Sequence, residues 1–493
     1  MASTEITGLS DGETRVAQPQ EVSLEVVARD IAMMGGGTAA AAVFNTMLVF
    51  LIPRLLSVKD FGYWRLFILY GGFVGLLHMG LADGALLRWA GRPLEEIRHE
   101  VAPSLKFLFW QQLALIVPGV VIAAFFLPRP LNLVGVSVLI YSLIFNCATV
   151  LQFSLQSARL FRPVAVAIAS PAGALVFMAF LWHLRETPSF WGLIMLYCIA
   201  WTVVLVYLWT RVGPRWGSES ADSAWTVGKS CIAVGWPIVL ANGGFAFAQS
   251  ADRLVVSSAL PIQEFAQYSL AASTMFVPVA AIVAVSKVFF SHVAAVEHEG
   301  RAQVYAHASK FLVLAWSLLL PYCFVLEAFV RHFLPKYAPA LPVAAILLLG
   351  VVFLAEIQIL HMSYSYLYGR QREFLFVTLG MLIFSFTVAI VMAVWLRSLI
   401  AVASGQVGVL VAWWLVNESR LRETTGQGWK ERLRFFFVIG WSGMSYGVAL
   451  WSTQSMGWRT AIYYFLVIPA LLVVCREEFR LGWRSIYATP ASL

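Results

Sequence analysis

The chain has 493 residues, 60% of them hydrophobic and only 12% charged, and its mean hydropathy is +0.78. A soluble protein of this length needs more polar surface to cover its core, so the composition excludes that class. The formal charge of +8 comes without a basic patch interleaved with aromatics, which argues against nucleic acid; Lys and Arg lie instead in the connections between apolar runs.

Residues 1–31 are polar and acid-rich, with no basic n-region, and read as a cytoplasmic N-terminal segment without a cleavable signal peptide. Within it, residues 21–31 (EVSLEVVARDI) predict a short amphipathic helix on the inner surface. Apolar runs of about 20 residues match the hydrocarbon thickness of a bilayer. They predict about fourteen transmembrane helices, near 32–53, 64–88, 104–127, 131–157, 163–183, 189–210, 230–251, 265–291, 308–330, 340–367, 374–396, 398–417, 434–453 and 458–475. With the N-terminus inside, 24 of the 34 Lys and Arg fall on the cytoplasmic side and 10 on the other, which places both termini in the cytoplasm. The five cysteines, Cys147, Cys198, Cys231, Cys323 and Cys475, lie in or beside apolar runs without CxxC spacing and read as small buried hydrophobes.

The chain contains a degraded repeat. A shift of 204 residues lays Phe61–Ala90 on Phe265–Ala294 without a gap, and Asp60–Phe61–Gly62 falls on Glu264–Phe265–Ala266. Six spans per copy is an even number, so both copies enter the membrane from the same side and a pseudo-two-fold axis runs along its normal. The expected fold is an all-α polytopic membrane protein of two pseudo-symmetric six-helix lobes plus two extra C-terminal helices. In numbers, an N-lobe covers 32–211 (spans 1–6), a cytoplasmic linker 212–229, and a C-lobe 230–417 (spans 7–12). A second cytoplasmic linker covers 418–433, spans 13–14 cover 434–475, and a cytoplasmic tail covers 476–493.

At these motifs the chain resembles a known family. Arg54–Leu55–Leu56–Ser57, Asp60–Phe61–Gly62 and Gly80–Leu81–Ala82–Asp83 in the first half are similar to the polysaccharide (Wzx-type) flippases of the multidrug/oligosaccharidyl-lipid/polysaccharide exporter superfamily. Ala251–Asp252–Arg253–Leu254 and Gln267–Tyr268 resemble that superfamily's second-half opening, with Ala266 where its turn has Gly. The resemblance implies two V-shaped lobes and alternating access. It implies transfer of a polyprenyl-diphosphate-linked oligosaccharide from the inner to the outer leaflet of a bacterial inner membrane, for O-antigen, capsule or exopolysaccharide. The implied partners are that substrate and membrane lipids, with a polysaccharide polymerase and chain-length machinery beside them.

A diphosphate crossing hydrocarbon needs fixed cations in a wet cleft, and guanidinium suits phosphate by its fork of donors. Arg54, Arg88, Arg253 and Lys287 are the candidates; for Arg54 and Arg88 the competing reading is a side chain snorkelling at a helix end. Asn242, Gln249 and Arg253, spaced by seven and four, share one face of span seven, which reads as cavity lining or as interhelical hydrogen bonding. The repeat shift lays Gln249 on Asn45, so each lobe offers an amide at matching depth. It also lays Asp83 on Lys287, which reads as a cytoplasmic gate or as two charges satisfied locally. Asp252, Glu327 and Glu356 are acids in or near apolar runs, where a coupling H+ or Na+ would bind. His361, five residues after Glu356, is off its helical face and reads as structural; the aromatics at 435–437 read as facing the interface or lipid. The small-residue patterns at 71–75 and 80–84 read as close helix packing.

No cofactor or metal ligand set is expected, since HExxH, CxxC and DxD are absent. Gly228–Lys229–Ser230 lacks the first P-loop glycine, and Gly443–Met444–Ser445–Tyr446–Gly447 lies inside an apolar span, so neither supports enzyme chemistry. The alternative functions are a drug/cation antiporter of the same superfamily and a membrane polysaccharide polymerase or ligase. The short outer loops count against the last.

Overall fold

A computed structural model describes residues 24–183, 189–214, 221–425 and 428–474. Those residues form eighteen α-helices, and there is no strand among them. Twelve helical stretches are long and apolar enough to cross a membrane, or thirteen if the bent pair Val58–His78 and Leu81–Trp89 is one span. The protein is a multi-pass helical membrane protein.

In the first half, α1 (Leu24–Leu55) ends just past Pro53. Ser57 then caps α2 (Val58–Gly71), accepting from the Asp60 amide at 3.1 Å and donating to its carboxylate at 2.7 Å. The expected straight second span is broken. A 3-10 turn (Val74–His78) follows α2, Met79 and Gly80 take φ of 51° and 88°, and α3 (Leu81–Trp89) leaves at 56° to the preceding stretch. Helix carbonyls freed inside a bilayer need other donors. Asn146 Nδ2 supplies Val74 at 3.0 Å and Gln112 Nε2 supplies Leu77 at 2.9 Å, from α4 (Leu94–Phe126) and α5 (Leu131–Ser157). Helices α6 (Phe161–His183) and α7 (Phe190–Val212) complete this half.

The second half repeats the pattern. It runs through α8 (Ala221–Ala259), α9 (Ile262–Thr274), α10 (Phe276–Ala295), α11 (Arg301–Leu319), α12 (Tyr322–Phe333) and α13 (Leu341–Ala355). A π-helical turn (Glu356–His361), α14 (Met362–Leu367), α15 (Gln371–Ile390) and α16 (Leu399–Thr425) follow. Helix α1 packs on α6 as α8 packs on α15, and α5 on α7 as α13 on α16. Helices α2 and α9 begin at 58 and 262, the shift read from the sequence, and pack on each other. A Cβ on Gly62 would stand 2.7 Å from the Ile262 carbonyl oxygen, so the two helices meet at a glycine.

Helices α17 (Trp429–Ser452) and α18 (Met456–Val474) are tied to the second half by polar contacts, more firmly than an appended pair requires. Tyr463 donates to the Ser317 carbonyl at 2.6 Å, Tyr464 to that of Leu318 at 2.9 Å, and the Ser442 hydroxyl to that of Ser317 at 3.0 Å. Phe435 is buried and stacks on Trp414 with centroids 4.6 Å apart, so only Phe437 of the aromatic trio is exposed. Several expected boundaries move. Helix α16 runs on to Thr425 and α17 begins at Trp429, so most of the 418–433 linker is helix. Residues 24–31 continue into α1, while 1–23, 184–188, 215–220, 426–427 and 475–493, Cys475 included, lie outside the described residues.

Candidate functional site

A cavity of about 390 Å³ lies between the two halves, walled by α1, α2, α8, α9, α13 and α16. Direct packing of the halves bounds it at two places. At one, α2 meets α9, with Phe61 edge-on to Tyr337 at 5.3 Å between centroids. At the other, α3 lies backbone to backbone on α8: a Cβ on Gly84 would stand 1.8 Å from the Cys231 carbonyl oxygen, and one on Gly235 1.9 Å from that of Gly80. Glycine alone permits that approach. Phe73 stacks on Phe247 at 4.5 Å between the cavity and this seam.

The charged and amide side chains lining the cavity are Asn45, Arg65, Gln249, Asp252, Arg253 and Gln406, with the hydroxyl residues Tyr197 and Ser273 beside them. Asp252 is buried and satisfied, accepting from Tyr268 Oη at 2.6 Å and from the Arg253 amide at 2.7 Å. Arg253 donates to the Ser250 hydroxyl at 2.8 Å and the Gln249 carbonyl at 3.2 Å, and its Nε stands 3.9 Å from Asp252. Gln406 accepts from Ser385 at 3.1 Å. Arg65 differs from all of these. It has no hydrogen bond or ion pair among the described residues, its Nε is buried without a partner, and its charge faces the like charge of Arg253. Two guanidiniums against one satisfied carboxylate leave the cavity net positive.

Among the residues singled out in the sequence, Asn45, Gln249, Asp252 and Arg253 come together here. The others do not. Arg54 is exposed at the end of α1 and outside the lining, because it follows Pro53 in the last turn. Asn242 is exposed and outside the lining, two turns along α8 from Gln249 and on the far side of Phe247 in the chain. Arg88 hydrogen-bonds Ser230 and stands 3.8 Å from Glu100, joining α3 to α8 and α4. Asp83 stands 3.7 Å from His78, across the break in its own span, and its helix packs chiefly on α5 and α8. The Lys287 side chain lies outside the described residues. Glu327 is bonded to Arg331 and Arg459, both at 2.8 Å, and fastens α18 to α12. Glu356 is buried away from the cavity at the head of the π turn.

Arg65 and Gln406 are the cavity residues that sequence reasoning missed. A second span starting at 64 puts Arg65 at its outer end, whereas α2 begins at Val58 and carries it two turns inward. Its signal was an Arg inside the run YWRLFILY. Among the described residues no three His, Cys, Asp or Glu are placed to hold a metal ion.

No sequence-family profile and no curated protein sequence matches the chain. Solved structures do. The lipid II flippase MurJ in an inward closed conformation superposes with a TM-score of 0.71 at 10% identity, over 92% of this chain and 99% of that one. The chain has the fold of these transporters. An inward-facing multidrug resistance MATE family transporter of the MOP superfamily gives 0.56 at 13% identity, over 78% and 99%. The outward-facing form of such a transporter gives 0.51 at 13%, over 81% and 97%. At these identities the likeness is one of architecture: the chain shares the MOP fold with a flippase and with drug transporters.

Proposed function

We propose that the chain is a flippase that moves a polyprenyl-diphosphate-linked oligosaccharide from the inner to the outer leaflet of a bacterial inner membrane, with both termini cytoplasmic. The glycan would serve O-antigen, capsule or exopolysaccharide synthesis, beside a polymerase and chain-length machinery. The observation that carries this reading is Arg65, a guanidinium with no partner among the described residues, facing Arg253 in the cavity between the halves. Such a pair is costly to keep desolvated unless an anion visits it, and a diphosphate offers each fork its own phosphate. The amides of Asn45, Gln249 and Gln406 are suited to sugar hydroxyls. A cavity of about 390 Å³ takes a headgroup and no more, so the lipid tail stays in the bilayer and larger glycans require the halves to part. A cationic drug finds less support, because the one carboxylate in the lining is already satisfied by Tyr268 and Arg253.

Deletion of the gene followed by lipid extraction tests the reading. The expected result is a polyprenyl-diphosphate oligosaccharide trapped on the inner leaflet. The Arg65→Met and Arg253→Met variants are expected to leave it trapped, while Arg54→Met clears it. Normal surface glycan in the deletion strain, or full rescue by the double Arg65→Met, Arg253→Met variant, would refute the assignment.

A further inference from the structure

A second recess, of about 330 Å³, opens at one end of the second half, where α12 finishes, α13 begins and the α17–α18 hairpin turns. It shares no lining residue with the cavity between the halves. Its walls are apolar, with Leu326, Leu341, Ala345 and Leu450 along them beside the Tyr446 ring, which stacks on Phe324 at 4.9 Å between centroids. The charged groups of the lining are Glu327, Arg331 and Arg459, so the recess carries one net positive charge.

The two guanidiniums are not equivalent. Arg459 is buried and engaged at all three nitrogens. Its Nε donates to the Thr453 carbonyl at 2.6 Å, Nη1 to Glu327 Oε2 at 2.8 Å and Nη2 to Gln454 Oε1 at 3.2 Å. That contact already neutralises Glu327. Arg331 is surplus to it: the side chain is 64% exposed and uses only Nε, which donates to Glu327 Oε1 at 2.8 Å. Neither Nη of Arg331, nor the side-chain nitrogen of Gln454, has a partner among the described residues. An exposed pair at i,i+4 adds little to stability, so the fold does not account for this arginine.

The depth of the recess names the ligand. Trp451 and Trp458 stand on either side of the hairpin turn, 94% and 68% exposed. Indoles exposed in this way gather at the membrane–water interface, among the lipid headgroups. A phosphodiester there carries one negative charge, which matches the one charge in excess, and its two free oxygens match the two Nη of a guanidinium fork. The apolar walls suit the glycerol and ester region beneath it, and a volume of this size takes a headgroup while the acyl chains stay in the bilayer.

We propose that this recess binds the headgroup of an anionic phospholipid, with Arg331 as the phosphate fork and Gln454 as the second donor. The lipid belongs to the leaflet at the start of α18, the outer one when both termini are cytoplasmic. It bridges the C-terminal hairpin and α12 from outside, as Glu327 and Arg459 bridge them from within. The site stands or falls separately from the flippase reading, whatever fills the cavity between the halves.

Native mass spectrometry of the full-length protein, stripped of lipid in dodecyl maltoside and titrated with dioleoylphosphatidylglycerol, tests this. The wild type is expected to bind one copy more tightly than any further copy. In Arg331→Gln that first affinity falls about tenfold or more, the loss of a charge-assisted phosphate contact, and Arg331→Lys recovers part of it. Arg129→Gln, which removes an exposed arginine between α4 and α5, is expected to bind like the wild type. Dioleoylphosphatidylcholine, whose headgroup adds a cation, is expected to bind about tenfold more weakly. Glycerophosphoglycerol, the same headgroup without chains, is expected to leave the lipid in place. The unfolding midpoint of lipid-free Arg331→Gln should equal that of the wild type. Undiminished phosphatidylglycerol binding by Arg331→Gln, equal binding of the choline lipid, or a lower midpoint for the lipid-free variant overturns the proposal. Displacement by glycerophosphoglycerol does so too, since the recess would then serve a soluble phosphate.

Discussion

Arg65 and Glu327 show two fates of a charge inside this bundle. Glu327 is held by Arg331 and Arg459, and its pairing with the buried Arg459 joins α12 to α18. Glu327→Gln leaves Arg459 short of its counter-ion and is expected to cost about 3 kcal/mol, read as a lower unfolding midpoint in detergent. Arg65 has no such duty. Arg65→Met is expected to leave the unfolding midpoint unchanged or raise it while translocation falls at least about tenfold, the loss of a charge-assisted phosphate contact. A destabilised Arg65→Met would show that the guanidinium is structural. Residue-level reading of the sequence succeeded where spacing alone decides, as for Gln249 and Arg253 one turn apart on α8. It failed where depth decides. Nothing in the order of residues says that the cavity takes in Gln249 and leaves out Asn242, or that a π turn faces His361 toward Glu418.

At the scale of elements, the broken second span is what the glycines accomplish. Gly80 takes a positive φ that other residues resist, and Gly84 lets α3 lie on α8 main chain to main chain. The pattern at 80–84 was legible as close packing. At 71–75, Gly71 and Gly75 face the Tyr141 and Phe145 rings of α5, and the segment also carries α2 into the 3-10 turn. Asn146 and Gln112 were invisible as its supports because they come from two other helices. Gly84→Val cannot keep the seam, since its Cβ would overlap the Cys231 carbonyl. Labelling of Cys231 by a maleimide is expected to rise several-fold in that variant, and unchanged protection would show that the seam opens and closes elsewhere.

At the scale of the molecule, the hydropathy pattern made the helical membrane class legible, and the 204-residue shift located the pair α2 and α9 that meets between the halves. Unforeseen was how much the last two helices are embedded. Tyr463, Tyr464, Ser442, Arg459 and Phe435 all reach into the second half. Such contacts come from single side chains scattered between Phe435 and Tyr464 and leave no periodic trace. Truncation after Thr425 is therefore expected to lower yield and melting temperature, and a shortened protein that melts like the full chain would make the hairpin dispensable. One consequence reaches outside the molecule. The closure of α3 on α8 is made of carbonyls against glycines with the Arg88–Ser230 hydrogen bond beside them, and no ion pair crosses it among the described residues. Ionic strength, which loosens electrostatic latches, has no lever on it. Whatever the salt concentration of the medium on its side, this door would be equally shut.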